Sequence, residues 1–359
     1  MKLQTVRINY HKLYLKKRFW AAVLVVQFLL FFIFSKIPAA VLFFENLFEI
    51  QKYIHQKIFS WLPFSVGDIF YILLGIALLI LIFKSFKEKS KSKARLHILF
   101  LLNIIYFIYQ IFWGMLYFQI PLSKKMPEAE VTIEMRKTLA AKYLDKCKIL
   151  RMQVSEDKNG VFKIENLEKI KQEIILQQKY LPKNLNSKKP TLINSIKPSL
   201  YGKVMNFSGI LGYYNPFTAE AQYNREIPSS YLPFTIAHES AHQLGYAREQ
   251  EANFIGFLLG SSSADLEIQY STAYFTLKSL LSSLVEDDPK FVRKMLAEYS
   301  SGMKRDRKAE KDFAENHRGL LDDFFGFTNN LFLKTNQQEG AVTYSYFVNL
   351  LVQYEMSKK

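Results

Sequence analysis

Long runs of apolar residues occupy the first third of the chain. The runs that lack a charged residue cover residues 19–35, 69–83 and 98–123. A helix needs about 20 apolar residues to cross a bilayer, and the second run reaches that length once residues 63–67 are added. The pattern therefore predicts a membrane domain over residues 1–123. Its three transmembrane helices are expected at about 19–38, 64–84 and 97–120.

Some features of this region have two interpretations. The first run has the character of a signal peptide, but no small-residue cleavage site follows it and two more runs do, so we expect a retained helix. The stretch Ile37–Phe44 predicts an interfacial segment or a packed loop. Asn103 and Gln110 share a face of the third run, which indicates helix–helix hydrogen bonding or, alternatively, a polar pathway.

The distribution of charge predicts the orientation of these helices. The chain has 48 basic and 32 acidic residues, a formal net charge of +16. Residues 1–118 hold 15 of the basic and four of the acidic residues, and most of the basic ones lie in residues 1–18 and 84–95. Because cytoplasmic flanks carry the excess of Lys and Arg, we expect a multi-pass inner-membrane protein with a cytoplasmic N-terminus. The lipid bilayer, rather than nucleic acid, is then the partner that explains the basic charge.

Residues 124–359 are then expected to form an extracytoplasmic domain, mostly helical with one small strand region. Apolar positions recur at helical spacing over 127–152, 165–181, 249–261, 264–285, 289–301, 307–335 and 341–357, with Gly302 and Gly340 as breaks. Asn159-Gly160 predicts a turn or hairpin within 153–163. The stretch Pro198–Asn224 is rich in Gly, Tyr, Ser and Asn, which is typical of short strands or an extended segment. That segment either binds a peptide by backbone pairing or packs as a loop on the core.

The strand region is followed by the sequence H-E-x-x-H at residues 238–242. Pro233 suits the first turn of a helix, and Gly245 suits the left-handed position that ends one. His238 and His242 then lie one turn apart on the same face. Two imidazoles at that spacing bind one Zn²⁺ and leave Glu239 free to handle a proton. The alternative is a pair of core or surface histidines without a metal.

A catalytic zinc needs a third protein ligand. The downstream carboxylates are Glu249, Glu251 and Asp265. Small residues recur at intervals of four, at positions 252, 256 and 260, and they let the second helix approach the first closely. Glu249 lies on this face and Glu251 points away from it, so Glu249 is the predicted ligand. Asn253, one turn further on, is predicted to hydrogen-bond a ligand imidazole.

These residues predict hydrolysis with one Zn²⁺ per chain. The metal lowers the pKa of a water toward about 7, and Glu239 takes the proton and passes it to a leaving amine. The single cysteine, Cys147, excludes a zinc site built from cysteines and is assigned no role. The candidates for stabilising the oxyanion are Tyr213, Tyr214, Tyr223, Arg225 and Arg248.

The motif resembles that of a known class of enzymes. His238-Glu239-x-x-His242, followed by E-x-x-A-N from Glu249, resembles the gluzincin metallopeptidases. The resemblance implies His238, His242 and Glu249 as zinc ligands. It also implies Glu239 as the base and a zincin-like α+β domain. Asn253 stands where many of those families have Asp, so its role carries over less directly.

A longer run resembles a bacterial membrane-anchored family named domain of unknown function 3810. It extends from Phe207-Ser208-Gly209 to the E-x-E-A-N-F that ends at Phe254. The expected function is a membrane-anchored zinc metallopeptidase, an endopeptidase that cleaves peptide or protein substrates outside the cytoplasm. The alternatives are a zinc hydrolase or amidase acting on cell-envelope peptides, and a non-catalytic membrane scaffold or sensor that retains the metal site. The natural substrate and the oligomeric state are not predicted.

Overall fold

The computed structural model describes residues 16–126, 130–191, 193–318 and 343–358. The described chain is mainly helical, as expected. Its α-helices are α1 (Lys17–Phe34), α2 (Pro38–Phe59), α3 (Val66–Phe86), α4 (Lys91–Phe112), α5 (Ile133–Arg151), α6 (Leu167–Gln177), α7 (Gly202–Ser208), α8 (Leu232–Leu244), α9 (Glu249–Ser261), α10 (Leu266–Leu284), α11 (Pro289–Ala297), α12 (Ser301–Asn316) and α13 (Thr343–Ser357). Its strands are β1 (Ile196–Pro198), β2 (Gly212–Asn215) and β3 (Glu220–Tyr223).

Three of the helices, α1, α3 and α4, are long and apolar enough to cross a membrane, which confirms the three predicted spans as candidates. The third differs in its bounds, because α4 ends at Phe112 and a 3₁₀ segment, Gly114–Phe118, continues the chain. The Asn103 amide donates to the Trp20 carbonyl of α1 at 3.0 Å. This bond is the helix–helix contact that the sequence suggested for Asn103.

The stretch Ile37–Phe44, predicted as an interfacial segment or a packed loop, is not a loop, because a 22-residue helix, α2, begins at Pro38. Pro38 starts it, since the first turn needs no proline N–H. One face, including Val41, Phe44 and Phe48, is buried against the rest of the protein. The polar residues that follow at 51, 52 and 56 are buried on that same face, and Gln51 and Lys52 donate to the Pro216 and Lys189 carbonyls. The packed-loop interpretation was wrong because the sequence does not reveal the surface that these polar groups contact.

The predicted strand region forms a three-stranded sheet with the order β1-β3-β2. β1 pairs with β3 in parallel, and β2 pairs with β3 in antiparallel fashion, with Tyr214 opposite Ala221. A short helix, α7, lies between β1 and β2 where only extended chain was expected. Helix α8 packs against both β2 and β3, so the sheet covers the helix that carries the H-E-x-x-H motif.

The remaining helices build a core around α8, α9 and α10, on which α5 and α13 pack. The predicted hairpin is present, with a bridge from Glu156 to Phe162 and Gly160 in the left-handed conformation. Gly302 was expected to break a helix, but it does not. It lies in the first turn of α12, where its lack of a side chain admits the Arg151 guanidinium. The predicted break at Gly340 and most of the helix at 307–335 lie outside the described residues.

A buried carboxylate joins the candidate membrane helix α3 to the sheet. Glu220, at the start of β3, accepts hydrogen bonds from the backbone N–H of Gly67 at 2.6 Å and of Val66 at 3.2 Å. It also accepts from Thr218 and forms an ion pair of 2.6 Å with Lys197. The carboxylate therefore satisfies the N-terminus of α3, which also favours negative charge.

We predict that Glu220→Gln destabilises the protein by about 3–5 kcal/mol, because it leaves the buried Lys197 ammonium without its counter-ion. Asp312→Asn is the matched control. It breaks a pair with Lys308 whose side chains are 49% and 74% exposed, and it should cost less than about 1 kcal/mol. Thermal unfolding of the full chain in detergent, followed by circular dichroism, measures both. Equal shifts in the two variants would show that Glu220 does not anchor α3.

Candidate metal centre

The helix that carries the motif has the predicted limits. Pro233 lies in the first turn of α8, and the helix ends at Leu244. Gly245 follows in the left-handed conformation with φ 104°, and its N–H bonds back to the His242 carbonyl at 2.9 Å. His238 and His242 therefore project from one face, and their ring centroids lie 4.7 Å apart.

Helix α9 approaches α8 closely because small residues face it. A side chain at Gly256 would lie 3.1 Å from the His238 backbone nitrogen, so only glycine allows this approach without a shift. Glu249 is the first residue of α9 and comes four residues after the turn at Gly245. Gly260 faces Thr272 of α10 instead of α8, so the small residues serve two different helix contacts.

The turn and the close approach bring together the three predicted ligands. Glu249 Oε2 lies 3.2 Å from His238 Nε2, and Glu249 Oε1 lies 3.5 Å from His242 Nε2. Ligand atoms of all three residues lie within 4.8 Å of one another. Two ligand atoms that each sit about 2.1 Å from a tetrahedral Zn²⁺ are about 3.4 Å apart. The three side chains are therefore close enough together to hold a metal ion.

The second nitrogen of each imidazole is engaged elsewhere, which leaves Nε2 free to face Glu249. His238 Nδ1 lies 2.8 Å from Asn253 Oδ1, and His242 Nδ1 lies 2.7 Å from the Tyr246 carbonyl oxygen. Both partners are acceptors, so each Nδ1 carries a hydrogen, and Nε2 is the nitrogen that can bind a metal when the imidazole is neutral. Asn253 is placed where the sequence predicted it.

The electrostatics of the cluster favour a cation. Burial lowers the pKa of His242, but the Glu249 carboxylate outweighs burial and raises it to about 9. Burial alone would raise the pKa of Glu249, yet His242 and His238 hold it well below its usual range. The carboxylate thus stabilises positive charge at the point where the two Nε2 atoms converge.

Glu239 lies beside this cluster and is almost fully buried. Burial raises the pKa of its carboxyl to about 7, against the opposing effect of the two imidazoles. Its Oε2 has no hydrogen-bond partner among the described residues, so this oxygen has capacity for a further polar group. A side chain at Gly212, the first residue of β2, would lie 2.8 Å from Glu239 Oε1. A glycine is therefore needed for β2 to pass next to the carboxylate.

Of the three tyrosines considered as oxyanion donors, Tyr213 and Tyr223 are engaged away from the ligands, whereas the buried Tyr214 hydroxyl has no hydrogen-bond partner among the described residues. The Tyr213 hydroxyl donates to the buried Asp68 carboxylate in the first turn of α3. The Tyr214 ring packs on Trp113, with centroids 4.6 Å apart. Tyr223 belongs to the hydrophobic core.

Of the other charged candidates, Arg248, Glu251 and Asp265 make structural contacts. Arg225 is exposed. Arg248 forms an ion pair of 3.0 Å with Glu251, and Glu251 accepts the Leu122 N–H at 2.9 Å. Asp265 caps the N-terminus of α10. Glu251 and Asp265 therefore hold nearby backbone in place and do not join the cluster. No oxyanion donor is assigned among the predicted candidates.

Sequence reasoning missed two aromatic residues that follow the third candidate span. The Trp113 ring lies 5.8 Å from the His242 ring in an edge-to-face arrangement. Its Nε1 donates to the Tyr117 hydroxyl at 3.4 Å, and burial, followed by the Glu249 carboxylate, raises the pKa of that hydroxyl. The only signal in the sequence was an aromatic pair at the end of an apolar run, which is also typical of a membrane interface.

Comparisons with known proteins add the family but no activity. A family model described as Protein of unknown function (DUF3810) matches residues 43–352, from within α2 to within α13. No curated protein and no solved structure matches the chain. Because the match covers most of the sequence, the chain belongs to the DUF3810 family, whose function is unknown.

Proposed function

We propose that the chain is a membrane-anchored, zinc-dependent peptidase with His238, His242 and Glu249 as the metal ligands. The observation that carries the proposal is the convergence of three ligand atoms within 4.8 Å beside a buried carboxylate. A structural zinc site has four protein ligands, whereas a hydrolytic site has three and keeps one position open. The cluster has three.

Glu239 is the proposed proton carrier. A base works best when its pKa is close to the operating pH, and burial gives this carboxyl a pKa of about 7. Its partnerless Oε2 is the atom that would take a proton from the attacking water and return it to the leaving amine. A bound Zn²⁺ would supply Lewis acidity to the scissile carbonyl and to that water.

The sheet offers a place for a peptide next to Glu239. β2 is the last strand on its side of the described sheet, and Gly212 brings its backbone against the Glu239 carboxylate. An extended peptide that pairs with such an edge gains main-chain hydrogen bonds that do not depend on its sequence. We therefore favour peptide bonds as the substrate, with the helical body on the side of the membrane opposite the basic N-terminal arm.

We predict that Glu239→Gln retains zinc and lowers the rate of casein cleavage by about 10²–10⁴-fold or more, because the amide cannot accept the proton. Zinc content by mass spectrometry and cleavage by gel electrophoresis are measured on the same detergent-purified samples. Glu298→Gln, which changes a half-exposed carboxylate on α11's C-terminal side, is the matched control. Full activity in Glu239→Gln would refute the assigned base.

Metal affinity tests the ligands without relying on activity. Glu249→Ala removes a direct ligand, so we expect zinc affinity to fall by more than about 100-fold. Asn253→Ala removes only the acceptor that orients His238, and a loss of about 10–100-fold is expected. Asn253→Asp should restore much of the affinity, because a carboxylate oxygen also accepts the Nδ1 hydrogen. Zinc competition with a chromophoric chelator measures all three, and wild-type affinity in Glu249→Ala would remove it from the ligand set.

The alternatives use the same residues and are separated by substrate. A cell-envelope hydrolase or amidase would digest purified cell wall and leave casein intact. A scaffold or sensor would bind zinc and cleave neither, with Glu239→Gln leaving the cellular phenotype unchanged.

A further inference from the structure

The candidate membrane helices are short for a bilayer. For each helix, we take the rise from the basic residue that flanks one end to the last residue at the opposite end. This rise is about 24 Å from Arg18 to Phe34 and about 27 Å from Lys84 to Val66. It is about 26 Å from Arg95 to Phe112. The hydrocarbon layer is about 30 Å thick, and any tilt shortens the reach further. The helix ends that join the rest of the protein therefore lie at the membrane surface and not beyond it.

Those ends contact the candidate metal centre and its sheet directly. At the start of α3, the Gly67 N–H bonds to Glu220 of β3, and a side chain at Gly67 would collide with the Asn215 amide of β2. Just after α4, Trp113 packs on the ligand His242. No spacer separates the sheet or the ligand helix from the membrane helices at these two points.

Helix α2 has an apolar face that nothing in the described protein covers. Phe43, Ile50 and Ile54 share this face and are 61%, 59% and 46% exposed, and Trp61 beyond the helix is 75% exposed. The helix joins the end of α1 to the start of α3, which lie on the same side of the membrane, so it lies along that surface. An amphipathic helix with aromatic residues in this position buries its apolar face among lipid headgroups.

A second apolar patch lies beside the strand that borders Glu239. Leu200 just before α7 and Val204 on α7 are each 53% exposed. The Leu200 N–H donates to the Asp68 carboxylate at 2.6 Å, which holds this patch at the first turn of α3. The patch is therefore level with the end of a membrane helix, where exposed apolar side chains meet lipid rather than water.

The distance from the membrane surface to Glu239 follows from β2. Asn215 lies against the start of α3, and Gly212 lies against Glu239. The four residues of the strand span about 10 Å. A peptide bond held beside Glu239 is thus within about 10 Å of the lipid surface.

We propose that the site takes peptide segments that lie immediately outside the bilayer in proteins tethered to the same membrane. This inference rests on the proposed peptidase function and adds its substrate class. A tethered chain is delivered to the site at high effective concentration, but only the residues next to its anchor reach the level of Glu239.

Cleavage of a repeat substrate tests the substrate class. Full-length protein with zinc is reconstituted in liposomes with an unstructured polypeptide made of six identical ten-residue blocks and anchored by one transmembrane helix. Mass spectrometry identifies the block that is cut, and Glu239→Gln protein controls for contaminating proteases. We expect the block nearest the membrane to be cut at least tenfold faster than the outermost one. Uniform cutting would overturn the substrate class and leave the peptidase intact, whereas no cutting of any block or of casein would overturn both.

A depth measurement tests the placement without activity. Spin labels are attached at Trp61→Cys and Val204→Cys, with the exposed Met152→Cys just after α5 as the matched control. The native Cys147 is fully buried and does not compete for the label. We expect the first two labels to collide more with oxygen, which concentrates in lipid, than with a water-soluble nickel complex. Met152→Cys should show the opposite preference. Water-like behaviour at both test positions would place the site away from the membrane and refute the proposal.

Discussion

The candidate metal centre depends on the left-handed turn at Gly245. This residue ends α8 one turn after the second histidine, and the short turn it starts places Glu249 at the beginning of α9. Gly245 also contacts residues of the N-terminal region. Its carbonyl accepts the Gln119 amide at 3.0 Å, and the Phe48 ring fills the space where a side chain would stand. An L-residue is strained at φ 104° and would collide with Phe48. One backbone conformation therefore fixes both the third ligand and the contact with α2.

Buried polar groups hold the membrane helices and the helical body in one arrangement. A charge taken out of water costs several kcal/mol unless its partners are in place, so such groups tolerate few alternative positions. Glu220 binds the start of α3 and Lys197, whose ammonium also donates to the carbonyls of Phe59 and Phe64 at 2.7 and 3.0 Å. Asp68 binds α3 to the chain before α7. These contacts fix the position of the site relative to the candidate membrane helix α3 as well as the fold.

The sequence predicted those parts of the site that depend on neighbours along the chain. The spacing of His238 and His242, the helix end at Gly245 and the small face of α9 are local, and they led to Glu249. The parts it missed depend on partners far away in the chain. Tyr213 was a reasonable oxyanion candidate until its hydroxyl proved to bind Asp68, 145 positions away. The polar residues of α2 obscured its helical pattern in the sequence because their partners lie in loops of the helical body. One example is the hydrogen bond of 3.1 Å that Lys52 donates to the Lys189 carbonyl.

The position of Trp113 explains why the motif alone does not define the site. Burial sets the pKa of Glu239 and the electrostatic coupling of His242 with Glu249, since charges interact more strongly away from water. Part of the burial of His242 and Glu249 comes from the aromatic cluster of Phe48, Trp113, Tyr117 and Tyr214, and three of these four side chains precede residue 124. A helical body cut from its membrane helices would keep all three ligands but would open one wall of the site to water. The candidate membrane region is therefore part of the chemical environment of the candidate ligands.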